Sequence, residues 1–103
     1  MRLSEPTKKE IKDILEKYKV KRAGIYGSYA RGEANKSSDI DIVVELNKKS
    51  LFELVGVKQD IEEATGLEVN ITTYNGLNNS KRNGFKERVL KEEEKIIWTQ
   101  EEI

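Results

Sequence analysis

Residues 24–44, GIYGSYARGEANKSSDIDIVV, carry the strongest structural pattern in the chain. The apolar residues 23–26 predict a short buried strand that ends at Gly27, and residues 28–33 predict a short helix opened by the Gly-Ser pair. A polar loop then leads into residues 39–46, where apolar and polar side chains alternate with the period of a strand that buries one face. The stretch therefore predicts a strand, a helix and a second strand in close succession.

Two aspartates lie on the polar face of the second predicted strand. Asp39 and Asp41 are two positions apart, so both carboxylates point to the same side, about 7 Å apart along the backbone. Like charges this close raise each other's pKa unless a cation lies between them. Mg²⁺ takes oxygen ligands from one or two carboxylates, completed by water and substrate phosphates. The pair is therefore a candidate metal site, although an isolated pair of this kind is more often a solvated strand face.

The Gly27-Ser28 pair is a candidate anion site at the turn between the first strand and the short helix. Glycine lets the chain turn sharply and lets a phosphate approach the backbone. The amides at the start of the helix and the Ser28 hydroxyl can then hold an anion. The alternative is an ordinary glycine turn followed by a serine that caps the helix.

The flanking segments predict further helices and strands around this centre. Their order, α-β-α-β-α-β-α with a possible last strand, predicts a small two-layer α/β or α+β domain. Before the central stretch, the sequence predicts a helix over 7–18 capped by Thr7. After it, the sequence predicts a helix that is capped by Ser50, stops at Gly66 and points five apolar residues inward: Leu51, Leu54, Val55, Ile61 and Ala64. A strand over 68–74, turns over 75–84, a helix from Phe85 to about Glu94 and a strand or docked tail over 96–98 follow, and the acidic run 92–94 is interpreted as a solvated helix face.

Length and composition narrow the classes of function. The chain has 103 residues, so we expect one domain spanning 1–103. It contains no cysteine and no histidine, which excludes thiolate and imidazole chemistry. Its net charge of zero argues against a nucleic-acid-coating protein, so we do not expect nucleic acid as a partner. No segment has the apolar length of a signal peptide or membrane span, so we expect a cytoplasmic protein with no membrane partner.

Taken together, Gly27-Ser28 followed ten residues later by Asp39-Ile40-Asp41 resembles the signature of the minimal nucleotidyltransferases of the DNA polymerase β superfamily. The resemblance covers roughly residues 10–98 and is most specific over 24–44. It implies the polymerase β-like palm fold, a small mixed sheet flanked by helices. It also implies transfer of a nucleoside monophosphate from a nucleoside triphosphate to an acceptor hydroxyl, with release of pyrophosphate.

The resemblance assigns roles to the matched positions. Asp39 and Asp41 would hold Mg²⁺, in two ions, against the triphosphate, as catalytic and metal-binding residues. Gly27 and Ser28 would grip the β- and γ-phosphates. Arg31 would bind phosphate or a partner, unless it forms a surface or structural ion pair.

One matched position departs from the family pattern. The family carries a third carboxylate on the next strand, where this chain has Asn70. Its amide can offer an oxygen to a metal, but it carries no charge and cannot act as a base. Loss of general-base help alone costs about 10²–10⁴-fold in rate. Glu68 stands two residues back on the same face, but its offset of about 7 Å makes it a poor substitute.

Two functions follow from the resemblance. The first is an antitoxin that uses ATP and Mg²⁺ to transfer AMP to a tyrosine hydroxyl of a HEPN-family toxin. The alternative is a catalytically weakened antitoxin that neutralises its toxin by binding, because of Asn70. A free-standing enzyme of the antibiotic-modifying kind is disfavoured, since those carry an additional substrate domain.

Overall fold

The structure, a computed structural model, describes residues 1–46 and 51–97. Five helices and four strands alternate along these residues, in the order that the sequence predicts except for one additional helix. The elements are α1 (Glu5–Lys17), β1 (Arg22–Tyr26), α2 (Ser28–Arg31), β2 (Ile40–Glu45), α3 (Leu51–Thr65), β3 (Val69–Thr73), α4 (Tyr74–Asn78), α5 (Phe85–Glu92) and β4 (Glu94–Ile97).

The four strands form one mixed sheet in the order β3-β2-β1-β4. β1 pairs antiparallel with both β2 and β4, whereas β2 and β3 run parallel and are connected through α3. This confirms the expected fold class, a small mixed sheet flanked by helices. The final segment that the sequence left open as strand or tail is the edge strand β4, and Trp98 lies outside the described residues.

The main core lies between one sheet face and helices α1 and α3. Ile11 and Leu15 of α1 are fully buried against Val57 and Ile61 of α3 and the apolar face of β2. Truncating such a side chain to alanine typically costs about 2–5 kcal/mol of stability. The alternation predicted for β2 thus correctly identifies the face that packs on the helices.

A smaller core covers the opposite face of the sheet and corrects the prediction that β2 buries only one face. Val43, expected among the polar side chains, is fully buried there. It packs with Tyr26 from β1, with Tyr74 and Leu77 from α4, and with Val89 from α5. This second layer holds α4 and α5 against the sheet face on which Asp41, two residues before Val43, also lies.

Two helix predictions need correction. The first helix begins at Glu5, because Ser4 and not Thr7 is its cap: the Ser4 hydroxyl accepts a hydrogen bond from the Thr7 amide at 3.3 Å. In α3, Leu51 and Val55 were expected inward but are 79% and 51% exposed.

Ala64 of α3 is also exposed, against expectation, and the predicted Ser50 cap lies outside the described residues. Which face of α3 is buried is decided by its docking on α1 and β3 and not by apolar content alone. Within the described residues, no helix is both long enough and apolar enough to cross a membrane.

Candidate active site

A cavity of about 660 Å³ opens where β1 ends, beside β2 and β3 and under α5. It contains five of the six residues that the sequence analysis singled out, and Asp39 is hydrogen-bonded to one of them. The residues that line it are Tyr26, Gly27, Ser28, Arg31, Asp41, Asn70, Arg82, Phe85, Arg88 and Glu92. The fold thus gathers the predicted site into one cavity, together with residues from α5 and the turn before it.

Gly27 is required at the turn from β1 into α2. Its φ of 76° lies in the left-handed region, and a Cβ at this position would overlap the Asp41 carboxylate. Ser28 then begins α2, whose first turn has no side-chain cap. The alternative interpretation of Ser28 as a helix cap is therefore wrong, and Ser28 is one of the residues that line the cavity.

Asn70 joins the two aspartates. It stands opposite Asp41 in the parallel β2–β3 register. Its side-chain amide nitrogen donates hydrogen bonds to the Asp39 Oδ2 and the Asp41 Oδ1, each at 3.1 Å. The neutral NH₂ group of Asn70 thus lies between two carboxylates, in a position where a cation would be favoured. As expected from strand alternation, residue 70 faces the same site as the aspartates.

The electrostatics of Asp41 reflect its half-buried position. Burial raises the pKa of its carboxyl above the ordinary value; the Asn70 hydrogen bond opposes the rise, and the charge of Asp39 adds to it. The ionised form is thus less favourable in the folded, metal-free protein than in the unfolded chain. A bound cation would remove this penalty.

The residues present are compatible with Mg²⁺. Among the described residues, no three acidic side chains are grouped closely enough to hold an ion between them. Asp39 and Asp41 nevertheless provide the one or two carboxylate ligands that a protein usually supplies to Mg²⁺, whose other ligands are water and phosphate oxygens. Rotation of the Asn70 amide would present its oxygen in place of its NH₂ group.

Arg31 forms ion pairs, as its alternative interpretation anticipated. Its guanidinium donates to Glu33 at 2.9 Å and to both carboxylate oxygens of Glu92, at 3.0 and 3.2 Å. Glu92 also accepts a hydrogen bond from the Gly27 amide at 2.9 Å, and its side chain is only 15% exposed. Two of the groups predicted to bind phosphate therefore hold this carboxylate.

The interpretation of residues 92–94 as a solvated helix face is thus wrong. Glu92 ends α5 in the cavity, while Glu93 accepts a hydrogen bond from the Tyr74 hydroxyl at 2.6 Å. Glu94 starts β4 and pairs with Lys8 at 2.8 Å. Consecutive residues that leave a helix for a strand point in different directions, and the run of like residues gave no sign of that change.

The α5 side of the cavity was missed by sequence reasoning. Arg82 and Arg88 lie over the Phe85 ring, with guanidinium carbons 4.2 and 5.7 Å from its centre. Phe85 meets the Tyr26 ring edge to face at 6.1 Å. Burial raises the pKa of Tyr26 to about 12, so it remains a neutral phenol at physiological pH. The spacing Arg-x-x-Phe-x-x-Arg was a weak signal for this cluster, because Arg82 lies in the turn before α5 and helix periodicity relates only Phe85 and Arg88.

Comparison with known proteins identifies the family. The family model described as "Polymerase beta, Nucleotidyltransferase" matches residues 9–102. A Methanocaldococcus jannaschii protein to which protein adenylyltransferase activity has been ascribed is 48% identical over 86 residues, which cover 82% of this chain and 88% of that protein. The protein adenylyltransferase MntA of Thermococcus cleftensis is 33% identical over 82 residues, covering 79% of each chain.

A solved structure shares the fold. It is the complex of a tri-AMPylated Shewanella oneidensis HEPN toxin with an MNT antitoxin, and the matching chain superposes with a TM-score of 0.70 at 17% identity. The match covers 97% of this chain and 76% of that one. From the extent of the family match and the identity to the two relatives, the chain belongs to the polymerase β nucleotidyltransferase family, as its Gly-Ser and Asp-x-Asp motifs predicted.

Proposed function

We propose that this protein is an antitoxin that transfers AMP from ATP to a tyrosine hydroxyl of a HEPN-family toxin. The observation that carries the proposal is the placement of Asp41 in one cavity with the Gly27-Ser28 turn, with Asp39 joined to Asp41 through the Asn70 amide. The names of the two adenylyltransferase relatives and the AMPylated toxin of the structural neighbour support the choice of nucleotide and acceptor.

In the proposed reaction the tyrosine oxygen attacks the α-phosphorus of ATP. A phosphorus–oxygen bond forms to tyrosine, the bond from the α-phosphorus to the bridging oxygen breaks, and pyrophosphate leaves. The hydroxyl proton passes to water. Such a transfer depends mostly on positioning and on neutralising charge.

The residues of the cavity would divide this work. Asp39 and Asp41 would hold Mg²⁺, which when bound stabilises the charge on the attacking and leaving oxygens. Ser28 and the backbone at Gly27 would orient the triphosphate. Tyr26, a neutral phenol at physiological pH, would supply a hydrogen-bond donor at the cavity wall.

The test is incubation of the protein with a HEPN-family toxin, ATP and Mg²⁺, followed by intact-protein mass spectrometry. We expect the toxin mass to increase by whole AMP units, only when both ATP and Mg²⁺ are present. A toxin with the labelled tyrosine changed to phenylalanine should lose that increment. Inhibition of the toxin's ribonuclease activity without any change in mass would contradict AMP transfer.

Inhibition of the toxin without a change in its mass would support the alternative function, neutralisation by binding. One observation favours this alternative: Asn70 occupies the position of the third carboxylate and already satisfies both aspartates through its amide. Under this alternative, the toxin would be inhibited equally with and without ATP.

The Glu92 carboxylate accepts hydrogen bonds from the Arg31 guanidinium and the Gly27 amide, two donors that would otherwise be available to a phosphate. We expect Glu92→Gln to tighten ATP binding roughly fivefold, because a neutral acceptor holds Arg31 and the Gly27 amide by about 1 kcal/mol less than a charged one. The measurement is calorimetric titration with Mg²⁺-ATP. The matched control is Glu87→Gln, an exposed carboxylate of the same helix that does not line the cavity. Weaker binding of ATP by Glu92→Gln would show that Glu92 positions these donors and does not compete for them.

A further inference from the structure

The charges around the cavity are unequally paired. Arg31 is engaged by Glu33 and Glu92, so its positive charge is already compensated. Arg82 and Arg88 line the same cavity, and across residues 1–46 and 51–97 neither belongs to an ion pair. The uncompensated positive charge of the cavity therefore comes from these two arginines.

Their contact with Phe85 leaves their hydrogen-bonding groups available. The guanidinium carbon of Arg82 lies 4.2 Å from the centre of the Phe85 ring, a stacking distance. Stacking uses the face of the guanidinium group, whereas its N–H donors point outward in its plane. A stacked arginine can thus be held in position by an aromatic ring and still bind an anion through two parallel hydrogen bonds.

The acidic residues of the cavity define what kind of anion suits it. Asp41 and its neighbour Asp39 would attract a cation, and the two arginines line the same cavity as Asp41. A ligand with both a bound metal ion and a run of negative oxygens matches this division of charge. The triphosphate chain of a nucleotide has that character, whereas its base and ribose are uncharged.

We propose that Arg82 and Arg88 bind the β- and γ-phosphates of the nucleoside triphosphate and stabilise the pyrophosphate that leaves. The assignment rests on the nucleotidyl transfer proposed above and adds the residues that compensate the phosphate charge. It also explains how a site whose Arg31 and Gly27 amide already hold Glu92 retains affinity for a triphosphate.

The experiment compares two double variants that each remove two positive charges. Arg82→Gln with Arg88→Gln alters the cavity, whereas Lys81→Gln with Lys86→Gln alters neighbouring positions that do not line it. Calorimetry measures the binding of ATP, AMP and inorganic tripolyphosphate with Mg²⁺ to both variants and the unchanged protein. Thermal melting confirms that all three proteins are folded.

We expect the arginine variant to lose at least roughly tenfold in affinity for ATP and tripolyphosphate, because each removed guanidinium forfeits charge-assisted hydrogen bonds. Its affinity for AMP and all affinities of the lysine variant should change less than about twofold. Equal losses in both variants, or an equal loss for AMP and ATP, would overturn the assignment, as would no loss at all.

The ligand series separates this inference from the proposed function. If the unchanged protein binds ATP and the arginine variant binds it equally well, the arginine assignment is wrong and nucleotidyl transfer is unaffected. If the unchanged protein binds ATP and only the arginine variant loses that affinity, but no AMP reaches a HEPN-family toxin in the mass assay, the phosphate assignment stands and AMP transfer is wrong.

Discussion

Replacing Asp39 and Asp41 together with asparagine is expected to reduce AMP transfer to the toxin by roughly a thousandfold or more. Stabilisation of transition-state charge by a metal ion is worth several kcal/mol, and each 1.36 kcal/mol corresponds to about a factor of ten in rate. Asparagine keeps the shape and a neutral oxygen at each position but removes the charge that holds Mg²⁺. The measurement is AMP incorporation by intact-protein mass, beside a calorimetric titration with Mg²⁺-ATP.

The same variant should fold at least as stably as the unchanged protein when no metal is present. Because the pKa of Asp41 is raised in the folded state, its contribution to stability is present at low pH and is lost as the pH rises through that pKa. A neutral side chain avoids this loss at pH 7, and Asn70 can still donate to an amide oxygen. We therefore expect an unchanged or higher melting temperature.

The control for this prediction is Asp13→Asn, which removes an exposed carboxylate of α1 that pairs with Lys9. It should leave AMP transfer and the Mg²⁺-ATP titration unchanged. If the double variant binds Mg²⁺-ATP with the same affinity as the unchanged protein, the two aspartates are not the metal site. If it unfolds at a much lower temperature, their role is structural.

The strands of this fold were predictable because their pattern is local. β1, β2 and β3 each lie within about one residue of the predicted segments, since alternation along a strand is read directly from neighbouring residues. The family resemblance matched Asn70 to the site of the aspartates, and alternation along the strand predicted that its side chain points there. The parallel pairing of β2 with β3 then brought Asn70 opposite Asp41, as the structure shows.

The helices were less predictable where burial depends on distant partners. α4 lies in a segment whose asparagine and glycine content predicted turns, and it forms because Thr73 caps it by accepting from the Gly76 amide at 2.9 Å. It then buries Tyr74 and Leu77 against Val43 on the second sheet face. The sequence alone gave no sign that this face would be covered.

The α5 wall of the cavity shows the same limit for function. Arg82 and Arg88 are far in sequence from the Gly-Ser and Asp-x-Asp motifs, and no spacing rule connects them. They reach the cavity because Val89 anchors α5 in the smaller core. A motif identifies residues that are close along the chain, whereas this wall exists only through tertiary packing.

Changing Asn70 to aspartate is expected to raise AMP transfer at least about tenfold, equivalent to about 1.4 kcal/mol of barrier. The change restores the third carboxylate of the family pattern, which would add a ligand for a second Mg²⁺ and a base for the attacking hydroxyl. The assay is AMP incorporation on the toxin by intact-protein mass, at equal enzyme concentration and saturating ATP. Asn78→Asp, an exposed position of α4 outside the cavity, adds the same charge and should leave the rate unchanged.

The structure also predicts that the effect of Asn70→Asp on the melting temperature reverses when Mg²⁺ and ATP are added. In the metal-free protein, Asn70 donates to Asp39 and Asp41 at 3.1 Å each, so an aspartate would replace two hydrogen bonds with like-charge repulsion. The melting temperature should therefore fall without metal. With Mg²⁺ and ATP it should rise above that of the unchanged protein, because a ligand bound to the folded state stabilises it.

These two measurements together decide what Asn70 does. If the unchanged protein already transfers AMP rapidly and Asn70→Asp is no faster, then Asn70 does not limit the rate. Glu68→Gln then becomes the informative variant, because Glu68 is the carboxylate that directly precedes β3, two residues before Asn70. If Asn70→Asp melts lower without metal and transfers AMP faster with it, one position sets two opposing properties. The asparagine then keeps two close carboxylates stable in the absence of metal, and the cost is a slower reaction when the metal is bound.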